Sequence, residues 1–247
     1  MPGASVRAGA GAVTFLTRVP LGRYVALDAA DVARGAVAFP LVGAGVGAVA
    51  GGVALVAAQV LPDAVAAVLA IAAATLVTGA LHLDALADTA DAVGARSRKQ
   101  ALEIMHDSRI GPFGGTALAL DLLLKVSCVA ALLSADKALA PLVAAGALSR
   151  AASLPLAAAL PYPRAEGGVL SGRMSPVAAV AAAVLAAGIA LLVWWSTGVW
   201  LVVTAAALAA LLGLWFSHWL GGATGDCLGA ATELCETAVL VVAAALV

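Results

Sequence analysis

The chain has 247 residues, of which 64% are hydrophobic and only 11% are charged, and its mean hydropathy is +1.08. A soluble domain cannot cover its surface with so few charged side chains, so the composition predicts a protein embedded in a lipid bilayer. The formal net charge is −1 and the sequence contains no basic patch, which argues against nucleic acid as a partner.

Seven apolar segments are long enough to cross about 30 Å of hydrocarbon as helices of roughly 20 residues. They cover 35–60, 63–82, 114–134, 138–160, 176–195, 198–217 and 228–247, with six or eight spans as alternatives. Small residues dominate each span, and no repeat or charged linker divides the chain. We therefore predict an all-α, polytopic transmembrane helical bundle that forms one integral membrane domain over 1–247.

Basic residues are distributed unequally between the two sides of this bundle. One side contains only Lys137, and the other contains Arg7, Arg18, Arg23, Arg34, Arg96, Arg98, Lys99, Arg109, Arg164 and Arg173. By the positive-inside rule the basic side is cytoplasmic, which predicts a multi-pass protein of the cell (inner) membrane. Segment 1–33 lacks the apolar core and cleavage pattern of a signal peptide, so we expect it to be cytoplasmic or interfacial.

The connection 83–113 is predicted to be a cytoplasmic catalytic segment. It contains Asp84, Asp88 and Asp91, whose spacing places three carboxylates on one face of a helix with no Lys or Arg between them. Carboxylates beside a membrane surface suit Mg²⁺ or Mn²⁺, which bridge such groups to substrate phosphates. We predict a divalent metal site here in preference to a solvated helix face. His82 lies about 160° around the same helix and is interpreted as a packing or interfacial residue.

The same connection ends in Asp107-Ser108-Arg109, just before a Gly-Pro turn. These three residues would suit a phosphate clamp. A helix start with Asp107 or Ser108 as its cap explains them equally well.

A second glycine-rich polar segment, 221–236, contains Thr224 and Asp226 at a predicted helix start. Exposed backbone N–H groups at such a start favour phosphate. Glu233 and Glu236 follow within an apolar segment, where an unpaired charge costs on the order of 3 kcal/mol. Both should therefore face the protein interior, with the metal centre as a candidate target.

Three charged residues fall within other predicted spans. Asp121 and Lys125 are spaced for an i,i+4 pair, whereas Arg150 has no local partner. We interpret Arg150 as a ligand for an anionic substrate group or for a carboxylate of the aspartate cluster. Arg164 and Glu166, on the connection 161–168, are either exposed turn charges or functional residues.

Five segments in this order resemble the cobalamin synthase family, also called adenosylcobinamide-GDP ribazoletransferase. They are FLTRVPLG (15–22), LHLDALADTADAVG (81–94), ALEIMHDSRIGPFG (101–114), PYPRAEGG (161–168) and GGATGDCLGAATELCE (221–236). The resemblance runs nearly end to end, and the second and fifth segments are specific in combination. The chain departs from the family at His106, where Lys is frequent, and at Thr232, where Asn is frequent.

The resemblance implies an enzyme that joins adenosylcobinamide-GDP to α-ribazole or its 5′-phosphate, giving adenosylcobalamin or its phosphate and releasing GMP. Asp84, Asp88 and Asp91 would hold Mg²⁺, and one of them or Asp226 would accept the hydroxyl proton. The predicted substrate-binding residues are Asp107, Ser108, Arg109, Arg150, Thr224, Glu233 and Glu236.

Three other classes of function compete with this interpretation. A membrane phosphotransferase that makes phospholipid would share the metal, but its DG-x2-AR spacing is absent. A cation-coupled transporter should show midplane acidic residues and a paired repeat. A structural scaffold leaves the clustering of aspartates on one side unexplained. A homo-oligomer is compatible with the sequence.

Overall fold

The computed structural model describes residues 3–107, 109–164, 167–170 and 174–247, so Ser108, Glu166 and Arg173 lie outside the described residues. Within these ranges the chain is helical and contains no strand. The helices are α1 Ala4–Leu16, α2 Ala29–Gly35, α3 Phe39–Ala57, α4 Asp63–Thr78, α5 Leu81–Val93, α6 Arg98–Ile104, α7 Pro112–Ser134, α8 Leu139–Ala159, α9 Pro176–Val193, α10 Trp195–Leu220 and α11 Gly225–Ala245. The predicted all-α fold is confirmed.

Six segments of the described chain are long and apolar enough to cross a membrane. They are Ala29–Ala57, Pro112–Ser134, Leu139–Ala159, Pro176–Val193, Trp195–Leu220 and Gly225–Ala245, and the bent pair of α4 and α5 gives a seventh if it counts as one span. The predicted number of spans therefore agrees with the structure.

Tryptophans on α10 fit a helix that crosses a bilayer. Trp195 and Trp200 lie near its start, whereas Trp215 and Trp219 lie near its end and stack with ring centroids 4.9 Å apart. At 1.5 Å per residue the two pairs are separated by roughly 30 Å, the thickness of the hydrocarbon layer. Aromatic side chains are enriched at both membrane–water interfaces.

The centre of the bundle is α8, most of whose residues are buried and which packs against α3, α9, α10 and α11. It approaches α3 closely at Gly146, which meets Gly43 backbone to backbone. A Cβ on either glycine would overlap the carbonyl oxygen of the other. Small residues at this crossing let the helices touch, as is usual in membrane bundles.

The second span ends earlier than the sequence predicts. We expected it to continue to residue 82, but α4 ends at Thr78 and α5 leaves it at 91°. Gly79 and Ala80 both adopt left-handed backbone conformations, with φ of 66° and 59°, which turns the chain through about a right angle at this break. The Arg18 N–H donates to the Val77 carbonyl oxygen at 2.7 Å and satisfies part of the exposed end of α4. The break places the start of α5 against α11.

Candidate active site

A cavity of about 330 Å³ lies where α5 and α11 meet α1, α3, α8 and the connection after α8. Its charged and polar lining includes Asp84, Asp226, His82 and Arg150. The rest is largely apolar, and its larger side chains are Phe15, Leu16, Phe39, Leu81, Leu160 and Leu170. The cavity thus combines an apolar wall with two carboxylates from different helices, a combination typical of sites for small molecules.

Close packing of α5 on α11 brings those carboxylates together. Gly229 allows the approach, because a Cβ there would collide with the Cβ of Ala85. Thr224 caps α11: its hydroxyl oxygen accepts from the Cys227 N–H at 3.2 Å. Asp226 is consequently in the first turn of α11 and Asp84 in the first turn of α5, positions where the helix dipole favours a negative charge.

Asp88 extends this carboxylate group by one further helical turn. It is half-buried, and the negative charges of Asp84, Asp226 and Asp91 all act on it. The expectation that the aspartates share a helix is confirmed by α5, and the structure adds Asp226 from α11 to the same charged group.

Asp91 differs from the other two aspartates of α5 because its carboxylate is already occupied. One oxygen accepts from the Gly111 N–H at 2.7 Å and the other from the Gly114 N–H at 2.8 Å. These two donors belong to the N-terminus of α7, where backbone N–H groups lack helical partners. Asp91 therefore caps α7 from a distance of about twenty residues in sequence.

Arg164 supplies a positive charge beside the carboxylates. Its guanidinium lies 3.1 Å from a carboxylate oxygen of Asp226 and also donates to the Leu102 carbonyl oxygen at 3.5 Å. The connection that carries it is fixed by the Ala223 N–H, which donates to the Pro161 carbonyl oxygen at 3.0 Å. Sequence analysis left Arg164 undecided, and its place within PYPRAEGG was the only signal available.

His82 and Tyr162 also line the cavity, although the sequence analysis did not select them as site residues. His82 is buried, as expected of a packing residue, yet it shares the cavity with Asp84. No local pattern around Tyr162 predicts that the connection after α8 folds over the cavity.

Residues predicted within the spans form a buried ion network that adjoins the cavity at Arg150. Lys125 pairs with Glu233, with Glu236 at 3.3 Å and with Asp121 at 3.7 Å. Arg150 pairs with Glu236 and donates to the Ser149 hydroxyl at 2.9 Å. Glu233 and Glu236 therefore face the interior as expected, where their partners are Lys125 and Arg150.

Asp107 and Arg109, the two described residues of the motif before α7, do not belong to the cavity lining. Arg109 donates from Nε to Asp107 at 2.9 Å, and its side chain is 86% exposed. This pairing lowers the pKa of Asp107 to about 2. Neither side chain lines the cavity, and their mutual pairing already satisfies both charges.

A family model described as cobalamin-5-phosphate synthase matches residues 9–244. The chain belongs to the cobalamin-5-phosphate synthase family. It is 39% identical over 238 residues to the adenosylcobinamide-GDP ribazoletransferases of Escherichia coli strain K12 and of E. coli O139:H28 strain E24377A, covering 91% of this chain and 94% of each relative. The search of solved structures found no match to this chain.

The two positions at which the sequence was expected to depart from the family, His106 and Thr232, differ in their structural setting. Thr232 lines the cavity, so a change of side chain there alters the cavity wall. His106 is exposed and does not line it. Of these two residues, only Thr232 can therefore contact a molecule in the cavity.

The carboxylates can be compared with what Mg²⁺ requires. Among the described residues, no three or more His, Cys, Asp or Glu side chains are grouped so as to hold a metal ion. Mg²⁺ usually takes only one or two protein carboxylates and completes its coordination with waters and substrate phosphates. Asp84 and Asp226 line one cavity, and Asp88 interacts with both. This donor set fits Mg²⁺ when a phosphate is present, whereas Asp91 already has two backbone donors.

Proposed function

We propose that this member of the cobalamin-5-phosphate synthase family joins adenosylcobinamide-GDP to α-ribazole, or to its 5′-phosphate, and releases GMP. The product is adenosylcobalamin or its 5′-phosphate. The observation that carries the proposal is the cavity in which an apolar wall meets Asp84 and Asp226, with Arg164 alongside. The names of the E. coli relatives support the same reaction.

The chemistry assigned to the chain's own residues is a phosphoryl transfer. The ribose hydroxyl oxygen of the acceptor attacks the phosphorus that bears the corrinoid, and the bond from that phosphorus to the bridging oxygen breaks. GMP leaves with the bridging oxygen, and the hydroxyl proton passes to one of Asp84, Asp88 and Asp226. Arg164 is placed to hold a phosphate oxygen, since a guanidinium binds phosphate as well as carboxylate.

Mg²⁺ is proposed as the cofactor, with Asp84 and Asp88 as ligands from α5 and Asp226 as a further candidate. When bound, it would neutralise negative charge on the pyrophosphate of the donor. The support is the electrostatic repulsion among the three carboxylates, which a divalent cation would relieve.

The cavity is proposed to open toward the cytoplasm of a cell with this protein in its inner membrane. Support comes from the basic residues of the connections 94–111 and 160–175. These connections follow α5 and α8, two of the helices that line the cavity, and basic connections are typically cytoplasmic. Reporter fusions at Ser97 and Lys137 test this orientation: they should report opposite compartments, with Ser97 cytoplasmic. The same signal from both sites would contradict it.

The reaction is tested with purified protein in liposomes supplied with Mg²⁺, adenosylcobinamide-GDP and α-ribazole. GMP should appear in step with the complete corrinoid, while neither GDP nor inorganic phosphate accumulates. Omitting α-ribazole should abolish GMP release, because a transferase needs its acceptor. GMP release that is indifferent to α-ribazole would identify a hydrolase, and absence of product from folded protein would favour another membrane phosphotransferase.

A further inference from the structure

We propose that the 330 Å³ cavity is the acceptor site: it holds α-ribazole, with the benzimidazole ring against the apolar wall and the ribose toward Asp84 and Asp226, while adenosylcobinamide-GDP binds outside it. This assignment rests on the proposed function and adds to it which substrate occupies the cavity. Size, polarity and the shape of the wall each support it.

Size separates the two substrates. Small-molecule pockets range from about 300 to 1,000 Å³, and the cavity lies at the lower end of that range. α-Ribazole, with about twenty non-hydrogen atoms, suits such a volume, whereas adenosylcobinamide-GDP is about five times larger. The corrinoid therefore has to remain outside, and the question becomes whether the cavity takes the ribazole or only the guanine end of the donor.

Polarity favours the ribazole. Guanine carries a carbonyl, an amino group and a ring N–H, each of which costs free energy if it is buried without a partner. The dimethylbenzimidazole ring has no exocyclic polar group. Among the lining residues, Arg150 already pairs with Glu236 and Ser149, so its guanidinium is committed to the protein. A largely apolar wall with one occupied cation suits the base of α-ribazole.

The wall also contains a pair of stacked aromatic side chains. Phe15 of α1 and Phe39 of α3 both line the cavity and stack on each other, with centroids 5.7 Å apart and planes at 18°. Phe39 is only 2% exposed, which fixes the pair within the surrounding core. A further ring in the cavity can pack edge to face against the half-buried Phe15, an arrangement that aromatic side chains favour. The carboxylates come instead from α5 and α11. One side of the cavity is therefore aromatic and suits the base of the nucleoside, and the other is charged and suits its ribose.

The test uses a matched pair of substitutions on α8. Ala157 lines the cavity and Ala159 is exposed, so Ala157→Phe fills the cavity whereas Ala159→Phe adds the same ring outside it. We expect Ala157→Phe to raise the KM for α-ribazole at least tenfold and to change the KM for adenosylcobinamide-GDP less than twofold. Ala159→Phe should leave both unchanged. A rise in the KM for adenosylcobinamide-GDP with the KM for α-ribazole unaltered would overturn the assignment.

Two binding measurements on the unaltered protein keep the proposal testable if Ala157→Phe does not fold. α-Ribazole, titrated without donor and followed by its own fluorescence, should bind about tenfold more tightly than the riboside of unmethylated benzimidazole, because two buried methyl groups account for about one power of ten. Equal affinities, or no binding of either, would contradict an apolar acceptor site. These results can be told apart from a failure of the proposed function. If the proposed function is wrong, neither the unaltered protein nor any variant will release GMP in an α-ribazole-dependent manner.

Discussion

The guanidinium of Arg164 lies 3.1 Å from the carboxylate of Asp226, and this ion pair joins the connection after α8 to the first turn of α11. Both side chains are about one-quarter exposed, so the pair is neither locked in the core nor fully solvated. A cation in that setting can exchange its carboxylate partner for a phosphate oxygen of the donor. The pair thus joins the connection after α8 to the proposed phosphoryl-transfer centre.

Replacing Arg164 tests that connection. Arg164→Ala should lower kcat/KM by roughly 10- to 100-fold, because one donor to a phosphate is lost. Arg164→Lys should recover part of the loss, since it retains the charge without the planar fork. Arg23→Ala is the matched control, because Arg23 is exposed and does not line the cavity. An Arg164→Ala protein with unaltered steady-state kinetics would remove Arg164 from the site.

The aspartates of α5 should separate into two kinds. Asp84→Asn and Asp88→Asn are expected to raise the Mg²⁺ concentration needed for half-maximal activity, and the double variant should be little worse than the worse single one, because residues that act as a unit are non-additive. Asp91→Asn should instead lower the free energy of unfolding by about 1–2 kcal/mol, since it weakens the cap on α7. Activity measured against Mg²⁺ concentration, together with thermal unfolding, distinguishes the two.

An Asp91→Asn variant that unfolds at the unaltered temperature but needs more Mg²⁺ would contradict this division. Asp88→Asn with full activity and an unchanged Mg²⁺ response would contradict the proposed metal role. Gly111→Ala is a useful companion, because its Cβ would press on the Asp91 carboxylate without changing any charge. It should reproduce the loss of stability seen with Asp91→Asn.

The sequence predicted those features whose signal is local. The bundle follows from long apolar segments, and the helix carrying Asp84 and Asp88 follows from a spacing visible within eight residues. The direction of that helix was not predictable. Gly79 suggests a helix end, but Ala80 adopts a positive φ that an alanine rarely takes without support from its surroundings.

Partners distant in the sequence account for the remaining differences. Glu233 pairs with a lysine 108 positions earlier, and Glu236 with an arginine 86 positions earlier. Asp91 meets its backbone donors 20 and 23 positions later. Each residue was recognised as significant because its charge stood in an apolar or like-charged setting. Which group neutralises it depends on helix packing, which the spacing of residues does not specify.

Lys125 is the central cation of the buried network and provides a test of its stability. Lys125→Met leaves Glu233, Glu236 and Asp121 without this partner, and the loss of one side of a buried ion pair costs about 3–5 kcal/mol. Thermal unfolding in detergent should show this loss. The double variant Lys125→Met/Glu233→Gln should lose less than the sum of the single variants, because the uncompensated charge is removed. The control is Ser127→Ala, two residues further along α7 at an exposed position, which should be nearly neutral. If the stability losses of Lys125→Met and Glu233→Gln simply add in the double variant, the pairing of Lys125 with Glu233 is contradicted.

The crossing of α3 and α8 makes a sharp prediction about glycine. Gly43→Ala would place a methyl group against the Gly146 carbonyl and near the Arg150 side chain, so either the helices separate or the variant fails to assemble. Overpacking of this kind costs about 1–3 kcal/mol or more, because the contact is backbone and cannot rotate away.

Gly45→Ala is the matched control: it lies on the same helix, and no atom stands within 4 Å of its added Cβ. Thermal unfolding and the monodisperse fraction after detergent extraction should fall for Gly43→Ala and remain unchanged, or improve slightly, for Gly45→Ala, since alanine favours the helix. Arg150 also lines the cavity, so any Gly43→Ala protein that does fold should show weakened α-ribazole-dependent activity. Equal stability and equal activity of the Gly43→Ala and Gly45→Ala variants would mean that α3 and α8 do not cross at these glycines.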